Sequence, residues 1–245
     1  VLLPSQKEND VGSLLVQPLE SAGHLATALW PAHDSAEVSS KAKSFQAGCL
    51  VGLPQHILTL AREPELARKV APFVKSVLLC SDYAAPCVRK AISENLDCSV
   101  HIHYGSSESG LGGAVECSYG QGCHIRESDL LFEVIDPEKG RQLPEGTEGE
   151  LVFTNLNRQG MTLIRYRTGD KGSLTSKRCA CGSILARLQN LGGRMESSVN
   201  LPGAGILTIA DLDEILLKIP EITAYEAWIE QGEQDLFAPK KTEAL

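Results

Sequence analysis

The amino-acid sequence predicts an α/β protein: a mainly parallel sheet with flanking helices, then an antiparallel β subdomain, then the start of a small α+β C-terminal domain. Three observations predict it. Strand-length apolar runs alternate with helical patterns up to about residue 108, the arrangement of parallel sheets covered by helices. After Glu108, short apolar runs alternate with tight turns, as antiparallel sheets do. From Ile206 a strand runs into an amphipathic helix and a further strand.

In the first part the strand-length runs lie at 25–30, 49–53, 76–80 and 99–104, with helical patterns such as 55–61 and 84–94 between them. Ligands of such sheets bind beyond the carboxyl ends of the strands. The run at 99–104 ends there in His103-Tyr104-Gly105-Ser106-Ser107-Glu108. The second part predicts strands at 130–135, 150–155, 162–166 and 184–188, separated by turns such as Pro137-Glu138-Lys139-Gly140 and Pro144-Glu145-Gly146. The third places Leu212, Ile215, Leu216 and Ile219 on one helical face, followed by a strand at 224–229 and the polar tail Pro239-Lys240-Lys241-Thr242-Glu243.

At 245 residues the chain can bury a sizeable core as one large or two smaller domains. With 42% hydrophobic and 22% charged residues it has the composition of an ordinary globular protein. A net charge of −8 argues against a nucleic-acid partner. No apolar run is long enough to cross a bilayer, so no membrane partner is expected. The start, Val1-Leu2-Leu3-Pro4, lacks both an initiating Met and the layout of a secretory signal. The reading is a cytoplasmic chain, compatible with a fragment of a longer one.

Of eight cysteines, Cys49, Cys80, Cys87 and Cys98 fall in αβ segments, where a lone thiol acts as a small buried hydrophobe. The other four cluster, which points to metal rather than to disulfides. Cys179-Ala180-Cys181-Gly182 offers two thiolates one residue apart, and Glu116-Cys117 and Cys123-His124 add sulfur and imidazole. Two ligand pairs fit a closed, structural, tetrahedral Zn²⁺ site. The chosen set is Cys117, His124, Cys179 and Cys181, with Cys123 the alternative to Cys117 and free loop thiols the alternative to a site.

Glu108 is a hard oxygen donor of the kind Mg²⁺ prefers. Ser106 and Ser107 can donate to phosphate, and Gly105 permits a bend. Asp170, at the end of Tyr166-Arg167-Thr168-Gly169-Asp170, suits two adjacent hydroxyls, and Arg194 after Gly193 carries a fork of donors. Each also has a plain structural reading: a strand-to-turn junction, an Asx turn and a surface arginine. His101 and His103 share one strand face, and His103 either borders a ligand or is a hydrogen-bonded core histidine. His24, His33 and His56 read as surface or helix-edge residues.

The order and spacing of these motifs resemble the adenylate-forming (acyl-CoA synthetase) superfamily, and within it the phenylacetate-CoA ligase-like branch. The likeness rests on His103 to Gly113 (His-Tyr-Gly-Ser-Ser-Glu-Ser-Gly-Leu-Gly-Gly), Glu116-Cys117, Cys123-His124-Ile125-Arg126-Glu127, Gly149 to Thr154, Leu163 to Asp170, and Cys179-Ala180-Cys181-Gly182. The resemblance implies a partial N-terminal adenylate-forming domain over 1–195, split into an αβ part (1–108) and a β subdomain with zinc-type cysteines (109–195), and an incomplete C-terminal domain over 196–245. It implies an ATP-dependent acid–CoA ligase that forms an acyl-adenylate from an aryl or other organic carboxylic acid before transfer to CoA. Its cofactors and co-substrates would be ATP/AMP, Mg²⁺, CoA and a structural Zn²⁺. Glu108 would serve as the catalytic Mg²⁺ ligand. Ser81, Asp82, Tyr104, Gly105, Ser106, Ser107, Asp170 and Arg194 would bind nucleotide, with Tyr104 on the adenine. His103, Gly110 and Gly112 would border the acyl pocket.

Three departures accompany the resemblance. No phosphate-gripping loop with its lysine precedes the first strand. Lys218, Lys240 and Lys241 lack the glycine-rich context of the family's catalytic lysine. Leu79-Cys80-Ser81-Asp82 carries serine where the adenine-contacting turn usually has glycine. The chain alone is therefore expected to turn over weakly or not at all, and the alternative function is a non-catalytic nucleotide-binding or interaction module. A homodimer is a further expectation.

Overall fold

The computed structural model describes residues 1–228 other than 33, 34, 202 and 204. Helices α1 (Val11–Ser21) and α2 (Ser35–Phe45) precede strand β1 (Cys49–Gly52). Helices α3 (Pro54–Arg62) and α4 (Pro64–Val70), strand β2 (Ser76–Leu79), helix α5 (Pro86–Leu96) and strand β3 (Ser99–Tyr104) follow. Three of these helices open on proline, whose fixed φ and missing N–H suit a first turn. The chain continues through β4 (Ala114–Glu116), β5 (Cys123–Ile125), β6 (Leu130–Ile135), β7 (Gly149–Asn155), β8 (Tyr166–Thr175) and β9 (Arg187–Gln189). A hairpin, β10 (Ser198–Leu201) and β11 (Gly205–Thr208), leads into α6 (Ile209–Leu216). A capping box starts α6: the Asp211 amide donates to Thr208 Oγ1 and the Thr208 amide donates to the Asp211 carboxylate.

One nine-stranded sheet carries the architecture, in the order β1-β2-β3-β4-β5-β9-β8-β7-β6. Strands β1, β2 and β3 are parallel, and every later pairing in this sheet is antiparallel. The two halves of the predicted class thus share a strand: β3 pairs with β2 on one side and, through His103 and Tyr104, with β4 on the other. Leu50, Val77 and Leu79 face Ile57, Leu58, Val88 and Ile92 of the helices, while Val51 and Leu78 face Leu3, Val11 and Leu15. The alternation follows from the two-residue period of a strand. A second core, with Phe132, Leu151, Phe153 and Leu188, fills the antiparallel part.

Residues after the hairpin pack back on the first core. Leu217 is 2% exposed within it. Arg62 donates to the carbonyls of Leu217 and Ile222, and the Cys87 amide at the start of α5 donates to Glu214 Oε2 at 2.9 Å.

Four predicted strands differ, and the one expected at 184–188 starts only at Arg187, as β9. Residues 25–30 form no strand, because their backbone is taken by the chain start: Val1 donates to the Thr27 carbonyl and the Leu29 amide to the Val1 carbonyl. The strand predicted at 162–166 begins only at Tyr166, because Arg165 adopts a left-handed φ of 50°. Residues 224–228 are not in a strand; Tyr225 instead donates to Asp213 Oδ1 at 2.7 Å, turning the segment onto α6. Ile229, the tail at 239–243 with Lys240 and Lys241, and His33 lie outside the described residues. Among the described residues no helix is long and apolar enough to cross a membrane.

Candidate functional site

Strands β2 and β3 are parallel neighbours, so their carboxyl ends lie side by side. The turn after β2 holds Ser81 at a φ of 69°, a left-handed conformation that glycine adopts at least cost. Here serine takes that same backbone shape. The Asp82 carboxylate accepts from the Tyr83 amide at 2.7 Å. Gly193 stands against this turn, where a methyl would lie 3.9 Å from Tyr83 Cβ. Arg194 is bridged to Asp170 of β8 through the Met195 amide to Gly169 carbonyl bond at 2.7 Å and the Lys171 amide to Gly193 carbonyl bond at 2.9 Å. Four segments distant in sequence thereby meet at one end of the sheet.

Asp170 is their meeting point. The Tyr104 hydroxyl donates to its Oδ2 at 2.7 Å, and Arg194 Nε lies 3.8 Å from its Oδ1. Its amide donates to Thr168 Oγ1, which itself donates to the Leu151 carbonyl. Burial pushes the Asp170 carboxyl above the ordinary range, with a smaller upward push from the Glu108 charge, against the pull of Tyr104 and Arg194. The Tyr104 phenol is also held well above its usual value, by burial first and then by Asp170. Its ring meets Phe132 edge-on, with centroids 6.1 Å apart.

The loop from Gly105 to Gly112 is tightly wound. Ser106 and Ser109 exchange hydrogen bonds between amide and hydroxyl, and the Leu111 amide donates to the Ser106 carbonyl. A methyl at Gly105 would lie 2.4 Å from the Leu111 carbonyl oxygen, so only glycine closes the loop this way. Among the described residues the Glu108 carboxylate takes no hydrogen bond or ion pair, which leaves it open to a cation. His103 fills space beside Gly105 and Gly112, its ring 3.0 and 3.3 Å from where their Cβ atoms would be. Burial, and then Arg126, lower its pKa. The room beside Gly110 is taken by Arg158, whose Nη2 is 2.2 Å from the Cβ position there. Sequence reasoning missed Arg158. No local pattern marks an exposed arginine in a loop fifty residues from the motif it touches.

Just after β4, on β5 and in the turn before β9, the ligand atoms of Cys117, His124, Cys179 and Cys181 all lie within 4.8 Å of one another. Cys117 Sγ is 3.7 Å from Cys179 Sγ, and Cys181 Sγ is 3.4 Å from His124 Nε2. A tetrahedron with Zn–S bonds of about 2.3 Å has S···S edges of about 3.8 Å, close to the Cys117–Cys179 separation, so two thiolate-rich pairs this near one another suit zinc. The Cys181 amide, with Cys117 and His124 adding, lowers the Cys179 thiol to about 6. Among the described residues the buried His124 Nδ1 has no hydrogen-bond partner. Cys123 points the other way, 1% exposed and 3.8 Å from the Ile102 carbonyl, and burial pushes its thiol up to about 12.

Against known proteins, no protein-family model matches the chain. A phenylacetate-coenzyme A ligase of Thermus thermophilus is 36% identical over 188 residues, covering 75% of this chain and 42% of that protein. The chain is a relative of the phenylacetate-coenzyme A ligases. A second such ligase, from Pseudomonas putida, is 31% identical over 186 residues, covering 74% of this chain and 41% of that protein. The chain spans about two fifths of the length of the curated relatives it matches. Among solved structures, a 2-hydroxyisobutyryl-CoA ligase in complex with 2-HIB-AMP covers 92% of the ligase relative, at 22% identity and a TM-score of 0.76, with 48% of that chain covered. An anthranilate CoA ligase in complex with anthranoyl-AMP covers 81% at 14% identity and a TM-score of 0.59, with 40% of that chain covered. At these identities the likeness is one of fold.

Proposed function

We propose that this chain carries the nucleotide half-site of an ATP-dependent carboxylate–CoA ligase. The observation that supports it most is the Tyr104–Asp170–Arg194 constellation at the carboxyl ends of the parallel strands. In the proposed reaction a carboxylate oxygen attacks the α-phosphorus of ATP and pyrophosphate leaves. The thiol of CoA then attacks the acyl carbonyl and AMP leaves. Asp170 would accept from the ribose hydroxyls and Arg194 would donate to ribose or phosphate oxygens. Ser106 and Ser107 would donate to phosphate. Ser81 and Asp82 would border the adenine, with Tyr104 supporting the base and orienting Asp170. His103, Gly110 and Gly112 would bound the acyl side.

Glu108 would hold Mg²⁺, which when bound neutralises charge on the phosphates. Cys117, His124, Cys179 and Cys181 would hold Zn²⁺, which pins β4 and β5 to the turn before β9 and takes no part in the chemistry. The proposed domain division places the boundary after 195, beside Arg194, with 1–195 as the adenylate-forming part. Kinship with the phenylacetate-coenzyme A ligases favours an aryl or other organic acid as the substrate class.

Calorimetry with AMP and Mg²⁺, on the chain and its Asp170→Ala variant, tests the reading. Binding by the chain that is lost in the variant supports it. No binding by a folded, metal-loaded chain would overturn it.

A further inference from the structure

Three side chains outside the assigned site hold the motif loop from behind. Arg158 Nη1 donates to the carbonyls of Ser107 at 3.5 Å and Glu108 at 3.3 Å. Asn155 Nδ2 donates to the Glu108 carbonyl and to that of Met161, both at 3.4 Å. Arg126 Nη2 donates to the Ser109 carbonyl at 3.2 Å, while its Nε is fixed by Asp129 at 2.7 Å. Three successive carbonyls are thus held by donors from two other segments. A cavity of about 230 Å³ lies behind the loop, lined by these three residues together with Asp129, Asn157 and Ser109.

In a trans peptide the N–H points opposite to the C=O. Pinning the Ser107 carbonyl therefore turns the Glu108 N–H to the other side of the loop. Among the described residues the amides of Ser107 and Glu108 have no hydrogen-bond partner. An amide turned out of a tight loop and left without a partner can donate to an anion. Gly110, at a φ of +83°, lets the Arg158 guanidinium lie directly against the backbone.

We infer that Arg158, with Asn155 and Arg126, is a positioning residue that aims the free Glu108 amide at a phosphate oxygen of the bound nucleotide. The inference rests on the nucleotide reading above. Arg158 touches no reacting atom and acts through the peptide it grips. Its exposed position means that its removal leaves the cores intact.

The test compares ATP and adenosine binding to the full chain with Mg²⁺ present, for the wild type, Arg158→Ala, Arg158→Lys and Gly110→Ala. Arg158→Ala is expected to weaken ATP roughly tenfold, the scale of a lost charged hydrogen bond, and to leave adenosine unchanged. Gly110→Ala, which displaces the guanidinium, should do the same. Hydrogen exchange of the ligand-free chain should quicken at the Ser109, Gly110 and Leu111 amides, which are hydrogen-bonded within the loop, in Arg158→Ala and recover in Arg158→Lys. Unchanged ATP binding or unchanged exchange in Arg158→Ala, or equal weakening of adenosine, overturns the inference alone. Failure of the wild type to bind ATP defeats the nucleotide reading and the inference with it.

Discussion

The Tyr104 hydroxyl donates to Asp170 Oδ2 at 2.7 Å, tying the end of β3 to the middle of β8 across 66 residues of sequence. Both groups are more than half buried, so water is a poor substitute partner. Tyr104→Phe keeps the ring packing on Phe132 and deletes only this bond. It should cost about 1.5–3 kcal/mol, the range for a hydrogen bond to a charged group. Urea unfolding measures it, and an unshifted midpoint would show that the bond adds nothing.

Metal content discriminates the four chosen ligands from their neighbour. The purified chain should carry one zinc, and Cys117→Ala, Cys179→Ala and Cys181→Ala should each lower that stoichiometry. Cys123→Ala should keep it, because that thiol faces the core. Elemental analysis by mass spectrometry decides the matter, and a chain purified without metal from zinc-supplemented cells would count against the site.

The pH dependence of stability should carry a contribution from His103. Its folded pKa is lowered from 6.5 by burial and by Arg126. Between that value and its lower folded pKa, the unfolded chain binds more protons than the folded one. Stability is therefore lost as pH falls from about 6.5 toward the folded pKa. In His103→Gln the melting temperature should fall less steeply with acid over that window. Superimposable profiles would rule out the imidazole as the source.

Leu217 is buried in the core of the αβ part although it follows α6. Leu217→Ala should cost about 2–4 kcal/mol, as for other buried leucines. Arg62→Ala should loosen the same contact by freeing the Leu217 and Ile222 carbonyls. Denaturant titration followed by tryptophan fluorescence reads both, and a wild-type midpoint for Leu217→Ala would mean that α6 does not dock in solution.

Much of this architecture is legible along the chain. The apolar runs at 99–104 and 130–135 become β3 and β6 with those bounds, because every other side chain is packed against a core. The helical pattern at Leu212 to Ile219 is met only in part: α6 ends at Leu216, and it packs through Asp213 and the following Leu217 while Ile215 and Ile219 of the expected face stay exposed. Strand alternation also separates Cys123 from His124: on β5 the first faces inward and the second outward. Other features depend on contacts far along the sequence. The run at 25–30 has strand composition, but its hydrogen bonds go to Val1. Helix α1 contains Gly12 and Pro18, both poor formers, and is held by packing of Val11 and Leu15 rather than by propensity. The grip of Arg158 on the motif loop belongs to this second kind, since only the folded chain brings them together.

The proposed metal ligands come in two pairs, and Cys117 and Cys179 are 62 residues apart. Strands β5, β6, β7 and β8 all lie on the enclosed stretch, so bound metal would cinch a long loop whose ends an unfolded chain seldom brings together. Any nick or cloning boundary between His124 and Cys179 would deal two ligands to each piece, and neither piece could then rebuild the tetrahedron alone. Zinc content would thus serve as a gauge of chain integrity across the central third of the protein.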